Sequence, residues 1–519
     1  MPITYRSEKG SPLTNAEVDG NFRDLDQRAT ANQQAATTAQ QAAEDAGTAA
    51  GNVGTALVTH KASGDHDARY LRRDVSDTAP LLGGIAQAGV TGLPFELDAL
   101  RVAVQRLRYA DLPLPVFELQ LAGAKVLDPR VKFTRDSAGL YHDAYGVLRA
   151  AAANEPRFDH DPETGAPRGL LLEQGATNLA WYSYYQPGDI WVGNATYKLE
   201  ANVGLAPDGT NTLSRISALA DGQPYAGPGA TTSVSYVAGR KYVSSCWFQV
   251  DPSGPANQVR LLMHGNAFGN SKILLFNCQT GQVIAGTSQF APEKWGYKRY
   301  PNNMVLLWQV NTATVTTSTY APLIWFNAAI QAGDGVNFWG IDVKEQAFPS
   351  SHIPTRGSAV SIAADFVRVA TDSWLNADAA TLLSESDQDD FDTDINRYIM
   401  FLSANETTAG ANYDGPLRRN GKIYINASAV DGADTPSISI PAGDIVKQRL
   451  AWTYQVGSPW VLAVNGQSVS GASGLPAPRT LSWLKFGGAG NAPVGSNWLR
   501  RVAVFPRALS AAQLEQLTA

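Results

Sequence analysis

Between Phe22 and Leu57 the sequence repeats with a heptad period. Phe22, Leu25, Ala29, Asn32, Ala36, Ala39, Ala43, Ala46, Ala50, Val53 and Leu57 follow one another in steps of three and four, the spacing that lines side chains along one stripe of an α-helix. Every seam position is apolar except Asn32, and the positions between are rich in Gln, Thr, Asp, Arg and Glu. A lone helix of this kind leaves its stripe uncovered, so the segment predicts a self-associating coiled coil. A single polar seam residue such as Asn32 fixes register and oligomer number at some cost in stability. Alanine layers bury little, and Gly47, Gly51 and Gly54 each disfavour the helix by ~1 kcal/mol. The stalk, roughly 50 Å long at the α-helical rise, therefore needs support from its neighbours. A solvated Ala/Gln-rich linker with partial helicity is the competing reading.

The whole chain has 519 residues, beyond the roughly 250–300 at which one hydrophobic core stops growing. After the heptads, Thr59–Arg73 and the Gly- and Pro-rich stretch that follows break the pattern. A short helix is predicted over 96–109, with Leu97, Leu100, Val104 and Leu107 on one face. From about Leu112 the texture becomes short alternating runs punctuated by Gly, Pro, Asn and Asp, the signature of strands at sandwich spacing. KYVSSCWFQV, VRLLMHG and KILLFNC belong to a first set, and RYIMFLSA, QRLAWTYQV and WLRRVAVF to a second. Asn465-Gly466 between two β-prone runs is a strong hairpin signal. The expected fold is mainly β: an N-terminal α-helical coiled-coil stalk followed by tandem β-sandwich (jelly-roll) domains. The expected ranges are 1–21 for a leader, 22–57 for the stalk, 58–132 for a shaft and connector, and 133–365 and 366–519 for the two sandwiches.

Charge excludes one class of partner. A formal net charge of −6, with charged residues at 17%, argues against nucleic acid, which is gripped by clustered Lys and Arg. No run of about 18 apolar residues suits a membrane span, and the N-terminus lacks the apolar segment of a signal peptide, so synthesis in the cytoplasm and no membrane insertion are expected. The two cysteines, Cys246 and Cys278, make no metal-type spacing and read as buried thiols.

Several stretches resemble modules of bacteriophage tail fibres. ITYRSEKGSPLTNAEVDGNF resembles a fibre leader, and GDHDARYL (Gly64–Leu71) resembles motifs along fibre shafts. Phe133–Leu179 is similar to the opening of a phage tail module and Ser350–Asp365 to its closing segment. Between them, APDGTNTLSRIS, VAGRKYVSSCWFQV and NFWGIDVKE resemble a carbohydrate-binding-module jelly roll. LAWTYQVGSPWVLAVNGQSV followed by RVAVFPRALSAAQLEQL is similar to a laminin-G-like, concanavalin A-like sandwich ending in a short helix. In that helix Ser510 is available as N-cap and Leu509, Ala512, Leu514 and Leu517 form the apolar side. The resemblance implies a homotrimer, attachment to other tail or baseplate proteins through the N-terminus, a virion location, and a distal end that meets host surface polysaccharide or another receptor.

Sugar faces stack on aromatic rings, so Trp181, Tyr182, Tyr184, Tyr185 and Trp191 in the first sandwich and Trp460 and Trp498 in the second are the glycan-binding candidates. Core packing is the competing reading for each, and Trp452 and Tyr454, which share a strand face, are expected inside. The acidic run Glu385, Asp387, Asp389, Asp390, Asp392 and Asp394 lacks the spacing of a calcium loop and reads as a solvated loop. His60 and His66 could meet copies of themselves at a trimer axis, but His66-Asp67 reads better as a turn. No metal or cofactor is expected. No paired-carboxylate strand of sandwich glycosidases, Gly-x-Ser-x-Gly elbow, His-Glu-x-x-His or phosphate loop occurs, so no enzymatic activity is expected. The function expected is host attachment by repeated weak glycan contacts. A purely structural baseplate role and a polysaccharide depolymerase are the alternatives.

Overall fold

A computed structural model of the chain describes residues 112–371, 374–388, 397–403, 406, 413–419, 422–426, 438–441, 447–471, 482–486 and 497–519. The leader, the heptad seam, the shaft histidines and the helix expected over 96–109 lie outside the described residues. Within them the protein is mainly β.

The first sandwich is built from two six-stranded antiparallel sheets. One runs Lys294–Arg299, Met304–Thr312, Lys241–Gln249, Gly335–Lys344, Ser214–Ala218, Tyr197–Glu200, and the other Val283–Ala285, Lys272–Asn277, Gln258–Met263, Leu323–Phe326, Tyr225–Pro228, Trp191–Gly193. Alternation along these strands sends Tyr242, Cys246, Phe248, Leu307 and Phe338 of one sheet against Leu261, Phe276, Ile324 and Phe326 of the other, as the period of two requires. Cys246 and Cys278 are free and buried. Burial pushes the Cys246 thiol well up and the Cys278 thiol up to about 12, so both act as small apolar groups.

The second sandwich does not follow the sequence ranges 133–365 and 366–519. One of its sheets runs Gln467–Ser470, Val461–Val464, Lys447–Gln455, Ala379–Gln388, Asn497–Phe505, Pro167–Leu172, Phe158–His160, with Phe117–Gln120 sharing the outer edge of Asn497–Phe505. The facing sheet starts with Val131–Thr134 beside Phe366–Ala370 and continues through Trp483–Phe486, Met400–Ser403, Tyr413–Arg419, Lys422–Asn426 and Ile438–Pro441. Phe117, Leu119, Val131, Leu170 and Leu172 share one core with Trp452, Leu484 and Val504. The first sandwich is thus inserted between strands of the second. Antiparallel pairing carries no mark of sequence separation, which is why the ranges read from local texture missed this.

The segments that resemble the opening and closing of a tail module meet in a buried ion cluster. Arg157 pairs with Glu173 at 2.8 Å and with Asp365 at 2.5 Å, and Arg135 reaches Asp365 at 3.1 Å. Glu173 Oε1 accepts a hydrogen bond of 2.7 Å from the Ser351 amide. Burial opposes ionisation of Glu173, but Arg157 and Ser351 outweigh it and hold its carboxyl below the usual range. Such a cluster keeps its charge in a low dielectric only because each member is partnered.

Two local expectations are met. Asn465 and Gly466 both have positive φ, 45° and 82°, and join Val464 to Gln467 in a tight hairpin, as a type I′ turn demands. The C-terminal helix spans Ala511–Thr518, with Ser510 and Gln513 closing a reciprocal capping box. Leu509 and Leu514 pack with Leu383, Ala451, Ala463, Ala503 and Phe505, and Leu517 lies partly buried beside them. Ala512, placed on the apolar side in the sequence, is exposed.

Candidate functional site

A cleft of about 250 Å³ opens where the outer face of the first sandwich meets the second, lined by His142, Asp159, Trp247, Lys298, Trp308, His352 and Trp498 among others. Two glycines shape its wall. The strand Lys241–Gln249 shifts register against Gly335–Lys344 between Ser245 and Trp247, and Gly340 opposite has φ +68°, where an added Cβ would lie 2.5 Å from the Trp247 ring. Trp247, between core-facing Cys246 and Phe248, and Trp339, next to core-facing Phe338, point outward by alternation, into a cluster with Leu148, Leu213 and Tyr300. Gly296 pairs with Trp308 across the edge of the sheet, and a Cβ there would meet the indole at 2.5 Å. The missing side chain gives Trp308 its place.

A polar relay crosses the cleft. Trp498 Nε1 donates to Asp159 Oδ2 at 2.6 Å, the His142 amide donates to Asp159 Oδ1 at 2.5 Å with the ring Nδ1 at 3.0 Å, and His142 Nε2 lies 3.1 Å from the Tyr300 hydroxyl. Burial by itself raises the Asp159 carboxyl, but the charge and hydrogen bonds of His142, with the Trp498 indole, bring it down to about 2. Deeper in, Asp342 Oδ1 lies 2.9 Å from His352 Nδ1 and Asp342 Oδ2 lies 3.0 Å from Lys344 Nζ. Both contacts are electrostatic approaches that fall short of hydrogen-bond alignment at Asp342 Oδ2 and at the imidazole. Burial raises the Asp342 carboxyl, and His352 and Lys344 reverse that and lower it. The carboxylates of the wall, Asp159 and Glu173, are thus ionised and engaged by partners, an arrangement that holds shape and does not present a proton donor.

The aromatic candidates divide. Trp460 is 1% exposed and packs on Trp452 and Tyr454, so it is core and has no face for a sugar. Trp191, 9% exposed, lies against Phe338 and Tyr185, and Tyr182 is buried at 8%; these too are corrected to packing residues, because a β-sandwich needs its largest rings inside. Tyr184 is half-buried and stacks on Trp339 at 6.3 Å. Trp181 and Tyr185 are half-buried against the first core. Trp498 reaches the cleft, yet it is 5% exposed and Arg168 sits 3.3 Å from its ring centre with Lys298 at 5.4 Å, so its π-face meets cations. Trp452 and Tyr454 are inside, as expected. Glu385 and Asp387 belong to a strand and pair with Arg501 at 2.8 Å and Arg500 at 3.1 Å, not to a solvated loop; the other four acids lie outside the described residues. Sequence reading missed Trp247, Trp308, Tyr300, His142 and His352. The one trace was Gly next to an aromatic, Gly296 in KWGYKRY and Gly340 in NFWGID, a close-approach signal inside strands.

No family model and no curated protein matches the chain. Among solved structures, the CBM40 domain of the Ruminococcus gnavus IT-sialidase bound to alpha2,3 sialyllactose is 16% identical, over 28% of this chain and 84% of that one, with a TM-score of 0.24. The binding domain of botulinum neurotoxin DC in complex with SialylT is 10% identical over 30% of this chain and 39% of that one, with a TM-score of 0.25. The receptor binding domain of botulinum neurotoxin D is 15% identical over 30% of this chain and 41% of that one, with a TM-score of 0.24. These likenesses are partial and shallow, and what those proteins bind is theirs.

Proposed function

We propose that the chain is a host-attachment protein of a tailed phage, a homotrimeric fibre of the virion that holds surface glycan through the cleft between its sandwiches. One observation carries the glycan reading: a concave site in which indoles, imidazoles and hydroxyls converge between two rigid β-layers, the usual make-up of a small-ligand site. The cleft falls below the ~300–1,000 Å³ of sites that engulf drug-sized ligands, so it suits one terminal sugar more than a long chain. Weak single sites are sufficient where copies act together, because effective concentration multiplies them. The heptad seam and the fibre-like leader support the multimeric, tail-bound part of the proposal. The protein is read as non-catalytic, since each carboxylate in the cleft wall is committed to a partner.

The test is adsorption of the purified full-length chain to host and non-host cells, with the supernatant assayed for released sugar. Saturable attachment to host cells, competed by their purified polysaccharide and without sugar release, is the expected result. Oligosaccharide release would make it a depolymerase. Absence of any attachment would leave a structural tail component.

A further inference from the structure

Of the tryptophans among the described residues, Trp295 alone stands exposed, at 40%, and Tyr297 on the same strand is exposed at 47%. Both belong to Lys294–Arg299, which ends its sheet and pairs with Met304–Thr312 on one side. Alternation puts Trp295, Tyr297 and Arg299 on one face of that strand, the two rings about 7 Å apart at the strand rise. Leaving two large rings in water forgoes the stabilisation that burial gives, and adjoining exposed rings mark a contact surface. The row runs into a cavity of about 320 Å³ lined by Asp161, Pro162, Glu163, Tyr297, Lys298 and Arg299. Tyr297 and Lys298 also line the cleft between the sandwiches, so the two hollows adjoin. The turn that supplies Asp161 and Glu163 is fixed in advance. Asp161 Oδ1 accepts from the Glu163 and Thr164 amides and from the Thr164 hydroxyl, and Gly165, at φ +71°, lies where an added Cβ would be 2.6 Å from the Ala144 carbonyl oxygen.

We propose that this strand edge is a track for an oligosaccharide, with one ring stacked on Tyr297, the next on Trp295, and hydroxyls of the first held by Glu163 and Arg299 at the cavity. This rests on the glycan reading above and extends it from one terminal sugar in the cleft to the sugars that follow. Exposed aromatic faces are apolar platforms with a polar tip, suited to the apolar face of a pyranose. The exposed Glu163 carboxylate accepts from hydroxyls and the exposed Arg299 guanidinium donates to them, so the cavity can read both sides of a hydroxyl. A protein strand is the poorer occupant, since the edge carries Lys294, Lys298 and Arg299, and charge on an edge strand, Lys above all, keeps another chain from pairing with it.

The experiment titrates the full-length chain with fragments of graded length, from one sugar upward, made by partial hydrolysis of the host surface polysaccharide. Trp295→Ala, Tyr297→Ala and Trp295→Phe are titrated alongside, and iodide quenching of tryptophan emission is the second readout. Affinity should rise with length over the first few sugars, and the longer fragments should shield Trp295 from iodide. Trp295→Ala and Tyr297→Ala should each weaken the longer fragments by roughly ten-fold, as loss of one stacked ring implies. Trp295→Ala should leave the single sugar unchanged, and Trp295→Phe should keep most of the affinity because a ring remains. Both side chains are exposed, so the variants fold. Affinity that is independent of length, or unchanged in both alanine variants, overturns this inference and leaves the glycan reading of the cleft in place. Absence of binding by any fragment removes the two together. A lower oligomer mass for Trp295→Ala in light scattering, with fragment affinity unchanged, would assign the edge to a contact between copies and overturn it as well.

Discussion

Asp159 and Trp498 stand 339 residues apart in the chain and meet at 2.6 Å, carboxylate oxygen to indole nitrogen. The contact ties the strand Phe158–His160 to the strand Asn497–Phe505 across the end of one sheet, and through His142 and Tyr300 it continues into the other sandwich.

The Asp159 carboxyl, held at about 2 in the folded protein, titrates well below its unfolded value of about 3.9. A depressed carboxylate contributes stability that is complete above the unfolded value and is lost as pH falls through about 4 towards 2. Its share is about 2–3 kcal/mol. Thermal melts from pH 6 to pH 2 should show a steep loss in that window, and Asp159→Asn should be less stable at neutral pH with a flatter acid limb.

Asp365 neutralises two buried guanidinium groups. Asp365→Ala strands Arg135 and leaves Arg157 with Glu173 alone in a dry interior, and breaking such a pair costs about 3–5 kcal/mol. Chemical denaturation should register a loss of this size, whereas Arg130→Ala, which removes a half-exposed partner of Asp128, should change stability by under about 1 kcal/mol.

Gly340→Ala places a methyl at positive φ and against the Trp247 indole. Destabilisation of about 1–3 kcal/mol is expected, with altered tryptophan fluorescence because the indole must move. Gly357→Ala, also at positive φ but with open space around it, should cost less and leave the emission unchanged.

The fragment 366–519 lacks Phe117–Gln120, Val131–Thr134, Phe158–His160 and Pro167–Leu172, all paired into its two sheets. It should express as aggregate, since uncovered strand edges and core template association. The fragment 112–519 should be soluble and fold, as read by far-ultraviolet circular dichroism and a cooperative melt.

Asn32→Leu should broaden the distribution of oligomers instead of abolishing assembly, because a polar seam residue specifies register more than it stabilises. Light scattering of the purified chain gives the answer, and an unchanged mass distribution would remove that role from Asn32.

What could be read in advance was local. The Asn465-Gly466 turn, the Ser510 cap, the two inert thiols and the interior place of Trp452 and Tyr454 each depend on neighbours within a few residues, so composition and period suffice. The cleft depends on contacts such as Trp498 with Asp159 and His142 with Tyr300, which join segments that no local pattern links. Aromatic residue type by itself misled at Trp460 and Trp191, because a large ring in a strand is as well suited to a sandwich core as to a sugar. Gly296 and Gly340 carried the better signal, since a strand interior has no use for glycine unless another group comes close.

The inserted sandwich is joined to its host through two interior strands, Pro167–Leu172 in one sheet and Phe366–Ala370 in the other, each flanked by partners on both sides. A pull on the inserted module therefore leaves by two anchors in parallel, along strands whose ladder bonds lie crosswise to the backbone. Such anchors yield by shearing many bonds together and do not peel one at a time, a mechanical arrangement suited to a part that must hold while something tugs on it.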